Sequence, residues 1–280
     1  MTEMLIVGGL TIDRFTDGSV APGGSVLHAG RAARSEDARL VTLTVAGTEP
    51  AARDGLDSLR ELGQLACQPV PHTTVYRHEA RDGERVLVLE ALAEPIAVNG
   101  LRDLGRPDVA LVAPIASEVS PALVDGLRAE LNPDRIILLI QGWLRRLVTG
   151  EEVRALALNT LSAAQERVIA AVDAIVVSTE DLVEARGDPF SQATELRRRV
   201  GPRPILVVTL GTEGYLLDDP ALDRIVASVP RRVVTGVSAN GAGDTFGAGF
   251  AINLAHGVSP LEAADLATEL VIRVLEARRA

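Results

Sequence analysis

Short runs of apolar residues alternate along the chain with segments of helical periodicity, and this alternation restricts the fold more than any other feature. Six runs fit buried strands: Met4–Val7, Leu40–Thr44, Val109–Val112, Arg135–Ile140, Ala174–Val177 and Ile205–Thr209. Five amphipathic segments between them fit helices: Val26–Arg34, Ala51–Leu62, Ser120–Leu131, Ala163–Ala171 and Ser191–Val200. Strands that alternate with helices build a mostly parallel sheet covered on both faces. The pattern therefore predicts an α/β fold, a three-layer sandwich with a central, mostly parallel sheet flanked by helices.

Two stretches break this rhythm and predict antiparallel ribbons. Thr11–Val20 and Thr73–Leu89 contain turn signals at Asp17-Gly18 and Asp82-Gly83. Alternation along the second ribbon places Tyr76, His78 and Ala80 on one face and Val75, Arg77 and Glu79 on the other. We expect these strands to form a small lid over the edge of the main sheet.

The length of 280 residues fits one or two domains. We find no internal repeat, linker or low-complexity segment, and we expect a single domain over residues 1–280, with lid strands from about 11–22 and 72–92. Cys67 is the single cysteine, so no intramolecular disulfide forms, and a small buried hydrophobe is the expected role. The four histidines have no metal-ligand spacing, which argues against a zinc site.

Charge excludes several functions. The chain has 38 acidic and 28 basic residues, a net charge of -10, which disfavours nucleic acid as a partner. It contains no lysine, so Schiff-base enzymes, pyridoxal-phosphate enzymes, Walker A P-loops and protein kinases are excluded. The sequence has neither a signal peptide nor an apolar run long enough to span a membrane, and we expect a cytoplasmic protein with no membrane partner.

A glycine-rich segment, Asn240–Phe250, carries the strongest chemical signal. It precedes a predicted helix at Ala242–Ala255, and glycines at a helix start let backbone N–H groups converge on an anion. Asp244 lies in the first turn, where it could accept a proton from a hydroxyl that attacks a phosphate. Two other interpretations are glycines for close helix packing and a dinucleotide fingerprint whose spacing is one residue too long. A final helix is predicted at Pro260–Ala277.

Three other segments contain candidate site residues. Gln141–Arg146 follows a predicted strand, so Gln141, Trp143 or Arg145 could contact substrate or phosphate; alternatively, the segment starts a helix with Trp143 packed. Glu118 could bind substrate or cap a helix. His28 could touch substrate or pack in the interior.

NGAGDTFGAGF, residues 240–250, resembles the C-terminal signature of the PfkB (ribokinase-like) family of small-molecule kinases. Four further segments follow the family's order and extend the resemblance over essentially the whole chain. They are Gly8-Gly9 through Asp13, Pro22-Gly23-Gly24, Ser178-Thr179-Glu180-Asp181, and Val208 through Gly214.

The resemblance implies a ribokinase-like fold and a role for each matching residue. Asp244 would be the general base, and the N–H groups of Gly241, Ala242 and Gly243 would stabilise charge on the transferred phosphate. ATP and Mg²⁺ are the implied cofactors, and the lid would exclude water. The expected binding residues are Asp13, Gly23, Gly24, Ser25, Gln141 and Arg145 for substrate; Ser178, Glu180, Thr209, Gly211, Gly214 and Asn240 for ATP; and Asp181, through water, for the metal.

The sequence departs from the family pattern at two places. The family usually has Asp-Thr-x before Gly-Ala-Gly-Asp, where this chain has Ser238-Ala239-Asn240. The missing acid belongs to the monovalent-cation site of potassium-activated members, so we expect weak or absent potassium activation. Ser178 and Asp181 replace the Asn and Glu of the family's N-x-x-E motif, which helps to organise magnesium.

The predicted function is an ATP-dependent kinase that phosphorylates a hydroxyl of a sugar or polyol. A nucleoside kinase is the alternative within the family, because Asn240 before Gly-Ala-Gly-Asp also occurs in adenosine-kinase-like members. Only 2% of residues are aromatic, which leaves few rings to stack on a base and favours a polyol. A catalytically silent sugar- or nucleotide-binding homologue is the alternative outside catalysis. A homodimer through the lid strands is possible in this family.

Overall fold

The computed structural model describes residues 1–81, 84–183 and 188–279. The strands are β1 (Glu3–Gly8), β2 (Thr11–Arg14), β3 (Val20–Gly23), β4 (Arg39–Ala46), β5 (Gln64–Pro69), β6 (Thr74–Arg81), β7 (Glu84–Ala91), β8 (Val109–Ala113), β9 (Arg135–Leu139), β10 (Arg145–Arg146), β11 (Arg154–Ala155), β12 (Ala174–Ser178), β13 (Ile205–Thr209), β14 (Tyr215–Asp218) and β15 (Val226–Ser228). The α-helices are α1 (Ser25–Ser35), α2 (Pro50–Leu62), α3 (Pro121–Gly126), α4 (Ala163–Ala171), α5 (Pro189–Val200), α6 (Ala242–Ala255) and α7 (Pro260–Ala277).

A central sheet of nine strands has the order β15-β14-β13-β12-β9-β8-β1-β4-β5. The seven strands from β13 to β5 are parallel, and β14 and β15 add an antiparallel end. Side chains alternate between two cores: in β1, Met4 and Ile6 face one core and Leu5 and Val7 face the other. Burial on both faces explains why these strands are continuous apolar runs.

Helices cover both faces of this sheet. Helices α1, α2, α6 and α7 contribute to the core that contains Met4, while α3, α4 and α5 contribute to the opposite core. Helix α6 is buried nearly all round, because small residues let it approach its neighbours. A Cβ at Gly247 would lie 2.7 Å from Leu139 Cδ2, and one at Gly249 would lie 2.9 Å from Leu270 Cδ2. The close-packing interpretation therefore holds for these two glycines.

Four other strands form a second sheet, the lid, in the order β3-β2-β6-β7. Residues 147–153, which we call the flap, join β10 to β11 and pair with the edge strand β7. The N–H of Val153 donates to the Leu87 carbonyl at 2.8 Å, and the N–H of Leu89 donates to the Glu151 carbonyl at 3.0 Å. The flap thus extends the lid by one irregular strand.

The predicted strands and helices match the structure closely, with one difference inside an element. Helix α3 ends at Gly126, and Leu127–Leu131 forms a π-helical turn instead of continuing the predicted helix to Leu131. Strands β5, β10, β11, β14 and β15 were not predicted. The first ribbon and the alternation along β6 are confirmed, whereas the predicted turn at Asp82-Gly83 lies outside the described residues.

None of the helices that the structure describes is both long and apolar enough to span a membrane.

Candidate active site

A cleft of about 740 Å³ separates the lid from the main sheet. The carboxyl ends of β8, β9, β12 and β13 meet at the same edge of the sheet, because these strands are parallel. The cleft is lined there by residues following these strands, by β2 and β6 of the lid, and by the start of α6. Side chains from distant parts of the sequence therefore face one space.

The lid end of the cleft is built around Asp13. This carboxylate is buried, and its Oδ1 accepts a hydrogen bond from Thr11 Oγ1 at 3.1 Å. His78 Nε2 lies 3.5 Å from Oδ2 of Asp13, and the ring of Phe15 stacks on His78 with 4.7 Å between centroids. A Cβ at Gly23 would lie 2.4 Å from Oδ2, so Gly23 gives Asp13 its space. The arrangement presents a hydrogen-bonding carboxylate to the cleft.

The backbone beside Asp13 is closely packed at glycines. Gly24 has φ +97°, and a Cβ there would lie 2.3 Å from the Gly9 carbonyl oxygen, so only glycine fits. Gly24 lines the cleft, but Gly23 and Ser25 do not. The Ser25 hydroxyl is buried and donates to the Ala113 carbonyl at 2.5 Å, which ties α1 to β8 instead of pointing to a substrate.

The first turn of α6 forms the centre of the cleft. Gly241 has φ +76°, and a Cβ there would lie 2.2 Å from the ring of His28, so His28 packs directly beneath this turn. The N–H of Ala242 already donates to the Ala239 carbonyl at 3.0 Å. The amides of Gly243 and Asp244 belong to the turn whose N–H groups have no partner within the helix, and Gly243 is exposed on the cleft. These groups are available to an anion.

Asp244 lies beside these amides on the same turn. Burial raises its pKa to about 6, and the guanidinium of Arg145 opposes that rise. A carboxylate with a raised pKa has a greater affinity for a proton, which suits a group that must accept one near neutral pH.

Arg145 belongs to a polar network at the end of β9. Its Nε lies 3.9 Å from Oδ1 of Asp181, and Gln141 Nε2 donates to Oδ2 of Asp181 at 3.2 Å. Burial raises the pKa of Asp181, while Arg145 and Gln141 lower it. Trp143 turns away from the cleft: it is buried, and its Nε1 donates to the Val119 carbonyl at 2.8 Å. Gln141 and Arg145 therefore face the cleft, whereas Trp143 packs in the core.

Glu118 organises the backbone below the cleft. It is fully buried, and its two carboxylate oxygens accept hydrogen bonds from the N–H groups of Ile115 and Ala116 at 2.8 and 2.9 Å. Burial raises the pKa of Glu118, and these hydrogen bonds lower it. Glu118 therefore caps the loop after β8 and does not line the cleft.

The other end of the cleft contains the residues expected to bind the nucleotide. Ser178 Oγ accepts a hydrogen bond from the N–H of Glu180 at 3.2 Å, and Glu180 is exposed on the cleft. Gly211 and Gly214 have φ of +59° and +102°, and a Cβ at Gly214 would lie 2.0 Å from the Ser228 carbonyl oxygen. Thr209 and Asn240 also line this end.

Solved structures share this fold over nearly the whole chain. A pyrophosphate-dependent kinase in the ribokinase family, complexed with a pyrophosphate analog and myo-inositol, is 18% identical with a TM-score of 0.79, covering 96% of this chain and 95% of that one. A double-mutant fructokinase from Vibrio cholerae O395, bound to fructose, ADP and potassium ion, is 19% identical with a TM-score of 0.71, covering 97% and 90%. Adenosine kinase from Sinorhizobium meliloti is 15% identical with a TM-score of 0.72, covering 98% and 94%. None of the curated proteins matches in sequence.

The model of the pfkB family of carbohydrate kinases matches residues 153–272, which include the start of α6. Residues 153–272 therefore belong to the PfkB family. The protein is a kinase that acts on an alcohol group, and the resemblance noted in its sequence motifs is confirmed.

The cleft of this kinase brings together most of the predicted site residues. They are Asp13, Gly24, Gln141, Arg145, Ser178, Glu180, Asp181, Thr209, Gly211, Gly214, Asn240, Gly241, Ala242, Gly243 and Asp244.

Other residues that line the cleft were not predicted from the sequence. Tyr76 and His78 were assigned a common face but no role, although that alternation was the signal that could have found them. Glu152 comes from the flap, and Thr268 and Val271 come from α7. These three carry no sequence signal, because only tertiary packing brings them to the cleft.

Proposed function

We propose that this PfkB kinase transfers the γ-phosphoryl group of ATP to a hydroxyl of a small, uncharged sugar or polyol. The observation that supports this most is Asp244, a carboxylate of raised pKa placed beside the first-turn amides of α6 in a lidded cleft. This combination supplies a proton acceptor and anion stabilisation at one point, as phosphoryl transfer requires.

The chemistry of the lid end favours a neutral, hydroxyl-rich acceptor. Asp13 brings a carboxylate to this part of the cleft, whereas the carboxylate of Glu152 is paired with Arg81, and Arg145 is the cation nearest to Asp181 and Asp244. Carboxylates accept hydrogen bonds from hydroxyls but repel a phosphorylated sugar. The ring of Phe15 already stacks on His78, so it offers a base less surface than a vacant aromatic face would.

Different residues of the cleft have different roles in the proposed reaction. Asp13 holds the acceptor by its hydroxyls, and Asp244 takes the proton from the hydroxyl that attacks. The amides of Gly241 and Gly243 stabilise the negative charge that develops on the transferred group. The lid excludes water, which would otherwise compete with the acceptor.

The opposite end of the cleft has room for a nucleotide. Thr268 and Val271 of α7 extend the lining of the cleft, which also includes Gly211 and Gly214, with small, uncharged groups. When bound, ATP supplies the phosphoryl group, and Mg²⁺ neutralises charge on its phosphates. Pyrophosphate, the donor named for one protein of the same fold, would not need this extension.

The carboxylates present fit a magnesium ion held mostly by phosphate and water. Within residues 1–81, 84–183 and 188–279, no group of three or more His, Cys, Asp or Glu side chains could hold a metal. Kinase magnesium sites use only one or two protein carboxylates. Asp181 is engaged by Gln141 and faces Arg145, so Glu180, exposed on the cleft, is the better placed to bind through water.

The decisive experiment measures product formation from ATP or pyrophosphate with sugars, polyols and nucleosides, using wild type, Asp244→Asn and the control Asp54→Asn. Asp54 is an exposed carboxylate on α2. We expect turnover with ATP and one polyol or sugar, and Asp244→Asn should lower kcat by about 10²–10⁴-fold, because it removes the general base. Asp54→Asn should leave kcat unchanged.

Other outcomes identify the alternatives. Turnover only with nucleosides would assign a nucleoside kinase, and turnover only with pyrophosphate would replace ATP as donor. Thermal stabilisation by ATP or a sugar with no turnover in any arm would indicate a silent binding homologue. Undiminished kcat in Asp244→Asn would refute Asp244 as the base.

A further inference from the structure

The loop that leads into α6 does not fit a monovalent cation. Ser238 and Ala239 provide no carboxylate where the potassium-activated relatives have an acid, and Ser238 Oγ instead accepts a hydrogen bond from the N–H of Asn240 at 3.3 Å. The backbone oxygens of the loop are also engaged. Nη1 of Arg278 donates to the carbonyls of Ser238 and Asn240, both at 2.8 Å.

We propose that Arg278 is a built-in cation that positions the anion-stabilising turn, in place of the monovalent ion used by potassium-activated relatives. Its guanidinium bonds to the loop carbonyls of Ser238 and Asn240, and Asn240 immediately precedes Gly241. This inference rests on the proposed phosphoryl transfer at Asp244. Arg278 is a positioning residue, since it acts through the peptide backbone and not on the substrate.

The geometry of the peptide bond links Arg278 to the anion site. A trans peptide group is planar, so its C=O and N–H point in opposite directions. The carbonyl of Asn240 and the N–H of Gly241 belong to one such group. By holding the Asn240 carbonyl, Arg278 fixes the direction of the Gly241 N–H on the opposite side. A cation at the carbonyl also polarises the peptide and strengthens that N–H as a donor.

The position of Arg278 in the fold makes this contact specific. Arg278 is the C-cap of α7, where its own N–H donates to the carbonyl of Leu275 at 3.2 Å. Its side chain contacts the loop at Ser238, which lies 40 residues earlier in the sequence. Partial burial and the neighbouring Arg31 lower the pKa of Arg278. An arginine nevertheless remains protonated in proteins, so the cation is permanent.

A permanent cation at these carbonyls changes the response to salt. A potassium ion would meet a guanidinium of like charge on the same oxygens, so binding of potassium is disfavoured. The wild-type enzyme should therefore have the same kcat in potassium chloride and in tetramethylammonium chloride at equal ionic strength. Removal of the guanidinium should slow turnover, and a carboxylate restored beside the loop should create a requirement for potassium.

The experiment compares wild type with Arg278→Met, Arg278→Lys, the double variant Ser238→Asp/Arg278→Met and the control Arg279→Met. Arg279 is the next residue and is exposed like Arg278, so the control removes the same charge at a matched position. In Arg278→Met we expect kcat to fall about tenfold or more, while the acceptor KM changes little, since the loss is at the transition state. Arg278→Lys should retain more activity than Arg278→Met, and Arg279→Met should match wild type. The double variant should recover kcat in potassium but not in tetramethylammonium.

Hydrogen exchange of the amides at 239–243 tests the same contact without catalysis. Exchange should accelerate in Arg278→Met and not in Arg279→Met, even if no substrate is turned over. A failure of the proposed kinase activity is thus distinguishable from a failure of this inference. If Arg278→Met does not fold, kcat and hydrogen exchange of Arg278→Lys are compared with those of the wild type instead. Potassium activation of the wild type, or unchanged kcat and exchange in the folded Arg278 variants, would overturn the proposal.

Discussion

At the scale of single residues, the proposed role of Asp244 as general base predicts that its raised pKa sets the pH at which the enzyme works. Burial raises this pKa to about 6, and a general base must be deprotonated to act. Below pH 6 the carboxyl is protonated, so we expect kcat/KM to fall about tenfold per pH unit there and to level off above about pH 7. The pH dependence of kcat/KM with the identified acceptor tests this. A plateau that extends to pH 4.5 would show that Asp244 titrates as an ordinary carboxyl.

Arg145 offers a matched variant for the same measurement. Its positive charge lowers the pKa of Asp244, so Arg145→Met should move the acidic limb to higher pH, whatever it does to the maximal rate. An unmoved limb would mean that Arg145 does not act on Asp244.

How far single site residues could be predicted depends on where their information lies. Asp244 could be predicted because it follows glycines at the start of a helix, and that pattern is local, whereas Asp13 was predicted only from the resemblance of its segment to the family. Ser25 follows the same kind of glycines, yet its hydroxyl points to the Ala113 carbonyl on a strand that is 88 residues away in sequence. The direction of such a side chain is set by a neighbour that no local pattern reveals.

At the scale of elements, the flap is the part of the lid that could not be predicted from the sequence. Residues 147–153 show no alternation of apolar and polar side chains. They pair with β7 through backbone hydrogen bonds, which the side-chain pattern does not predict. By contrast, the strands of the main sheet were predictable, because burial on both faces makes each a continuous apolar run. Only Arg146 separates the flap from Arg145, so the flap joins the lid to the polar network at the cleft.

This connection predicts that the lid and the flap move as one body. Val88 and Glu152 are directly opposed, and the bonds Leu89 N–H to Glu151 and Val153 N–H to Leu87 make them a non-hydrogen-bonded pair. Such pairs have Cα atoms about 4.5 Å apart, a separation that a disulfide can bridge. In a Val88→Cys/Glu152→Cys variant that also carries Cys67→Ala, kcat of the oxidised and the reduced protein should agree within about twofold.

The reduced protein is the control for the substitutions themselves. If turnover required the flap to separate from the lid, oxidation would abolish activity and a reductant would restore it.

At the scale of the whole molecule, two hydrophobic cores share one sheet. Each strand contributes side chains to both cores. If β1 or a neighbouring strand unfolds, it therefore leaves both cores together. The fold class was predictable from a different pattern, the alternation of strands and helices along the sequence. The antiparallel end formed by β14 and β15 was not, because short strands at a sheet edge have little buried periodicity to detect.

The shared sheet predicts that the chain unfolds as a single cooperative unit. Trp143 is the one tryptophan of the sequence, and it is buried in the core that α3, α4 and α5 cover. Its fluorescence therefore reports on one side of the sheet, whereas far-ultraviolet circular dichroism reports on all of it. We expect the two signals to give the same midpoint in urea, as a two-state transition requires.

A matched pair of substitutions makes this test specific for coupling across the sheet. Leu59 on α2 and Leu196 on α5 are both fully buried, and they belong to opposite cores. Leu59→Ala and Leu196→Ala should each lower the free energy of unfolding by about 2–5 kcal/mol, because each leaves a cavity. Since the cores share every central strand, Leu59→Ala should shift the Trp143 transition as far as it shifts the circular dichroism, although Trp143 lies on the other side. If Leu59→Ala shifted only the circular dichroism while Leu196→Ala shifted both signals, the two sides would unfold separately, and residues 1–280 would comprise more than one unit.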